Sequence, residues 1–77
     1  MNATYNPDHV LIFKTSVITE ADRLNITELL NADEEIDQWH IDLDDCDKVL
    51  RIVSATRNPL NIIELVNRKG YLCIELI

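Results

Sequence analysis

Between positions 40 and 47 the chain gathers an imidazole, a thiol and four carboxylates in one short stretch: His40, Asp42, Asp44, Asp45, Cys46 and Asp47. A run of carboxylates can hold a hard cation such as calcium, but the calcium loop of the helix-loop-helix hand needs a central glycine and a closing bidentate glutamate. This stretch has neither, so a solvated acidic turn is expected. A softer set would combine Cys46 with Asp44 and His40, donors that suit a borderline ion such as zinc. The spacing dictates no geometry for that set. A thiol in a turn and a histidine on a strand are more often incidental than ligating, so no metal is expected, and Cys46, Asp44 and His40 stand as the alternative.

Elsewhere the reactive residue types are sparse. No segment combines a nucleophile, a base and a group that orients the base, so catalysis is not expected. The single glycine leaves no glycine-rich loop for a phosphate or a small regulatory ligand, and no cofactor is expected. Cys73 falls in an alternating apolar run and reads as packing. Thr19 and Asp22 lie in Thr19-Glu20-Ala21-Asp22, where the hydroxyl and the carboxylate can cap the start of a helix reciprocally.

Fourteen acidic residues against seven basic ones give a formal net charge of -7. Such a molecule repels phosphate backbones and anionic lipid, which argues against nucleic acid and membrane surfaces as partners. The stretch from 33 to 47 contains Asp33, Glu34, Glu35 and Asp37 as well as the acidic turn, with no Lys or Arg. One edge should therefore be strongly negative. No apolar run approaches the ~20 residues of a membrane span. The opening residues are polar where a signal peptide would be basic and then apolar. A cytoplasmic location with reduced thiols is the expectation.

The elements that must position these residues follow from periodicity. With 77 residues there is room for one domain, expected over residues 9–77 behind a mobile arm at 1–8. Val10 to Phe13 is an apolar run suited to a buried central strand. A helix should follow Thr19, with Ile26, Leu29 and Leu30 on its apolar stripe and Leu24 off it. Trp39, Ile41 and Leu43 alternate with Gln38, His40 and Asp42, which predicts a half-buried strand with Trp39 as a core anchor. Val49, Leu50, Ile52 and Val53 then predict a strand returning through a hairpin. Asn58-Pro59 opens a second helix that Arg68, Lys69 and Gly70 close. Tyr71 to Leu76 alternates as a last strand. The order strand, helix, strand, strand, helix, strand predicts an α+β ferredoxin-like sandwich, with two helices on one face of a four-stranded antiparallel sheet.

Length, element order and the ending Ile62-Ile63-Glu64-Leu65-Val66-Asn67-Arg68-Lys69-Gly70-Tyr71 resemble the heavy-metal-associated domain family, small copper and zinc trafficking modules, over most of positions 9 to 77. The resemblance implies a metal site at the start of the first helix, where the family carries a Cys-x-x-Cys pair. Here Thr19 and Asp22 occupy those positions. A hydroxyl and a carboxylate are hard, weak donors for Cu(I), so the resemblance implies a variant without the family's metal chemistry.

The sheet face away from the helices then becomes the candidate for function. Leu11, Phe13, Trp39, Ile41, Leu50, Ile52, Leu72 and Ile74 are expected to face the helices. Val10, Ile12, Val49, Val53, Tyr71 and Cys73 are expected on the open face, beside Lys14, His40, Asp42 and Arg51. An apolar face of that kind usually marks an interface. The expected function is a non-catalytic interaction module that binds a protein partner or its own copy as a homodimer, with Val10, Ile12, Val49, Val53 and Tyr71 at the contact.

Overall fold

Both helices begin where capping side chains sit in the sequence. In the computed structural model, which describes residues 9–44, 46 and 48–76, helix α1 spans Glu20–Asn31 and helix α2 spans Pro59–Arg68. The Thr19 hydroxyl accepts from the Asp22 backbone N–H, and the Asp22 carboxylate accepts from the Thr19 N–H, both at 3.1 Å. Asn58 and Asn61 exchange the same pair of bonds at 3.0 Å ahead of α2, with Pro59 at the position where a missing N–H costs nothing.

The C-terminus of α2 is closed by its glycine. Gly70 has φ +94, a left-handed conformation that a side chain resists. Its N–H donates to the Asn67 carbonyl and the Tyr71 N–H to the Val66 carbonyl. That pair of bonds satisfies carbonyls that the helix end would otherwise leave open, and it directs Tyr71 back onto the core.

The strands are β1 (Val10–Thr15), β2 (Gln38–Asp42), β3 (Val49–Val53) and β4 (Cys73–Glu75). They form one antiparallel sheet in the order β2-β3-β1-β4, the ferredoxin-like α+β arrangement expected from the element order. Strand β1 continues to Thr15, beyond the apolar run that announces it, and β4 is shorter than its alternation suggests.

Antiparallel partners share a face, so the register fixes what each face holds. Phe13 lies opposite Leu50, which lies opposite Ile41; Leu11 lies opposite Ile52, which lies opposite Trp39. These point to the helices. Phe13, Leu50 and Ile52 are fully buried against Ile26 and Leu30 of α1 and Ile62 and Val66 of α2, each helix supplying a pair four residues apart. Trp39 is half-buried against this core, and its indole N–H donates to Asn31 Oδ1 at 2.9 Å. Leu24 is exposed, as its place off the stripe implies.

Strand β4 departs from expectation. Cys73, assigned by alternation to the open face, is 6% exposed in the core, whereas Leu72 and Ile74, assigned to the helices, are 69% and 59% exposed. The pairing explains the reversal. Lys14 lies opposite Ile74 and Thr15 opposite Cys73, so Ile74 shares the outward face of Lys14 and Cys73 the buried face of Thr15. Tyr71 is likewise packed against the core and does not lie on the open face. The expected arm at residues 1–8 lies outside the described residues.

Candidate functional site

The β1 exit, the start of α1 and the α2–β4 junction meet at one end of the sheet. The Leu72 N–H donates to Ser16 Oγ at 2.8 Å, and the Thr15 hydroxyl donates to the Lys48 carbonyl at 2.8 Å. This end is where the family resemblance puts a metal pair, and its donors are already engaged. Beyond the Thr19 N–H, the Asp22 carboxylate accepts from the Ile18 N–H at 3.1 Å and from the Tyr71 hydroxyl at 2.8 Å. Asn25 Nδ2 donates in turn to the Tyr71 oxygen at 3.1 Å. These bonds favour the charged carboxylate, so Asp22 titrates below the ordinary aspartate range, chiefly through the Thr19 backbone bond and then through Tyr71. Thr19 and Asp22 thus act as a cap that Tyr71 joins to the α2–β4 junction, 49 residues away along the chain.

The alternative metal set is not brought together. Cys46 and Asp44 are exposed in the β2–β3 connection, while His40 is exposed on β2, opposite Arg51 on the open face. Among the described residues no three His, Cys, Asp or Glu side chains form a group that could hold a metal ion. Burial pushes the Cys73 thiol up to about 12, which leaves it protonated and unreactive at neutral pH.

A second polar cluster ties the opposite loops together. Arg57, ahead of α2, donates to both carboxylate oxygens of Asp33, just past α1, at 3.0 and 3.1 Å. The Arg57 hydrogen bond holds the Asp33 carboxyl below its ordinary range. Ser54 donates to the Glu35 carbonyl at 2.6 Å and accepts from the Arg57 N–H at 2.9 Å, and the Thr56 hydroxyl donates to the Glu35 carboxylate. The depression between Arg57, Asn61, Glu64 and Arg68 is polar and open.

The open sheet face is different in kind. The register places Val10, Ile12 and Lys14 of β1, Val49, Arg51 and Val53 of β3, and Gln38, His40 and Asp42 of β2 on this side. Ile74 joins them through Lys14. The Leu76 N–H bonds the Ile12 carbonyl and the Ser16 N–H bonds the Leu72 carbonyl, which extends the same alternation to Leu76 and Leu72. Ile12, Leu72, Ile74 and Leu76 are 37%, 69%, 59% and 39% exposed. Val10 and Val49 are half-buried, whereas Val53 is already covered at 6%. With Lys14 and Arg51 against Asp42, the face carries a formal +1 on a chain of -7.

The chain matches no protein-family model, no curated protein and no solved structure. No helix among the described residues is long and apolar enough to cross a membrane.

The exposed residues of β4 escape sequence reasoning because its alternation favours burying the more apolar set. A usable sign of Tyr71's role is present in Gly70-Tyr71. A glycine that closes a helix in the left-handed region makes the next residue the one that folds back on the helix.

Proposed function

We propose that this chain is a non-catalytic, cytoplasmic interaction module that binds a protein partner through its open sheet face. It resembles a heavy-metal-associated domain in build, and its contact surface takes the place of that family's metal site. The observation that carries the reading is the run of exposed apolar side chains, Ile12, Leu72, Ile74 and Leu76, on one face of the sheet. Water around a continuous apolar surface is released when a partner covers it, and burial stabilises a complex by roughly 25 cal/mol per Å² before the costs of association. Polar groups among these residues, Lys14, Arg51, His40 and Asp42, would select the partner by charge.

The chemistry at the start of α1 supports the same reading. Thr19 and Asp22 are hard donors already committed to capping and to Tyr71, a poor set for a soft ion. The test is capture of partners by the full chain, followed by calorimetry of each identified partner as a purified protein. Ile12→Glu is expected to abolish that binding, while Leu60→Glu, at an exposed apolar residue on α2, leaves it intact. Equal binding by wild type and Ile12→Glu would overturn the proposal.

A further inference from the structure

Strand β4 lies at the edge of the sheet, and its hydrogen bonds to β1 are made by alternate residues. Leu72 accepts from Ser16, and Leu76 donates to Ile12. By the alternation of an antiparallel ladder, the backbone N–H and C=O groups of Cys73 and Glu75 therefore point away from β1, toward the side of β4 on which no strand lies among the described residues. An edge strand is a template for another strand, and natural sheets usually blunt it with lysine, proline or a bulge. From Cys73 to Leu76 the only charge is Glu75, and its side chain is on the face opposite to Leu72, Ile74 and Leu76.

We infer that the partner of this edge is a second copy of the chain, with the two β4 strands paired antiparallel about a two-fold axis at Ile74. This rests on the reading of the chain as a module that acts through protein contact. Only registers that pair odd-numbered residues with odd-numbered ones let the free backbone groups bond. Centred on Cys73, the pairing leaves Leu76 opposite Gly70. Centred on Glu75, it sets two carboxylates against each other, which destabilises a sheet. Centred on Ile74, it exchanges backbone bonds between Cys73 and Glu75 of opposite copies. Ile74 then meets Ile74, and Leu72 meets Leu76, all in the close, non-hydrogen-bonded pairs where side chains touch most. The strand is complementary to itself in that register, and the two open faces join into one surface. Each copy carries -7, so the contact has to overcome mutual repulsion, and salt strengthens it.

The experiment is sedimentation velocity of the full chain from micromolar to millimolar concentration, with disulfide trapping. The expected result is a monomer–dimer equilibrium that tightens with added salt and that Ile74→Lys weakens at least tenfold with the circular dichroism unchanged. In a Cys46→Ser background, Ile74→Cys should cross-link to its own copy under mild oxidation, since close antiparallel pairs fall within the span of a disulfide. Leu72→Cys should do so only when mixed with Leu76→Cys. A monomer at millimolar concentration, a dimer untouched by Ile74→Lys, or self-linking of Leu72→Cys equal to that of Ile74→Cys would overturn the inference. A monomer that still binds a purified partner in an Ile12-dependent way overturns this inference alone. A β4-linked dimer beside partner binding indifferent to Ile12→Glu overturns the open-face reading alone.

Discussion

The Tyr71 hydroxyl donates to the Asp22 carboxylate at 2.8 Å across 49 residues of chain, tying the strand-entry turn after α2 to the cap of α1. The bond converts a local capping residue into a tertiary one. It also engages Asp22 Oδ1, while the Ile18 and Thr19 N–H groups engage Oδ2, so both carboxylate oxygens have protein donors.

Removing that hydroxyl tests the coupling. In Tyr71→Phe the Asp22 pKa should rise toward the ordinary aspartate value but stay below it, because the Thr19 backbone bond, the larger contribution, remains. The folded pKa of Asp22 is depressed, so its stabilisation is present above the unfolded value and is lost as pH falls through the folded one. The variant should therefore lose stability at neutral pH and show a weaker acid dependence. NMR titration of the Asp22 carboxyl, with urea midpoints on both sides of pH 4, measures both effects.

The Arg57–Asp33 fork makes a parallel prediction. Asp33 is nearly covered and is held ionised by Arg57, so Arg57→Ala leaves a carboxylate without its main partner. Wild type should be more stable than the variant above the ordinary aspartate pKa, and the gap should close as acid protonates Asp33. Chemical denaturation at neutral pH and near pH 2 reads this directly. A gap that stays constant with pH would assign the effect of Arg57 to packing.

The two thiols should differ sharply in reactivity. Cys46 is exposed, whereas Cys73 is buried with its pKa pushed up to about 12. Iodoacetamide at pH 8 should label Cys46 alone in the folded protein and both residues in urea, as followed by intact mass. Cys73→Ser is expected to cost about 1–3 kcal/mol, since a hydroxyl is placed in an apolar site, with Cys73→Ala costing less.

Gly70 isolates a backbone effect. A Cβ built at this position meets nothing within 4 Å, so the cost of Gly70→Ala comes from φ +94 alone. It should be about 1–2 kcal/mol by thermal denaturation, with Gly70→Asn less affected because asparagine tolerates the left-handed region. Core truncation at Ile62 or Leu50, both fully buried, should cost about 2–5 kcal/mol on the same assay.

The sequence alone determined the helices, the hairpin, the element order and hence the ferredoxin-like arrangement, because each of those signals acts within a few residues. Thr19 with Asp22, Asn58 with Asn61, and Gly70 are short-range devices whose chemistry is complete locally. It also placed Val10, Ile12 and Val49 on the outward side of the sheet, since Phe13, Leu50 and Ile41 could only be core. Only the tertiary structure decided the facing of β4. Alternation says that neighbouring side chains oppose each other, not which set goes inside, and the more apolar set, Leu72, Ile74 and Leu76, is the one left outside. That choice was made by the pairing of Lys14 with Ile74 and by Tyr71 reaching Asp22, contacts between residues far apart in the chain.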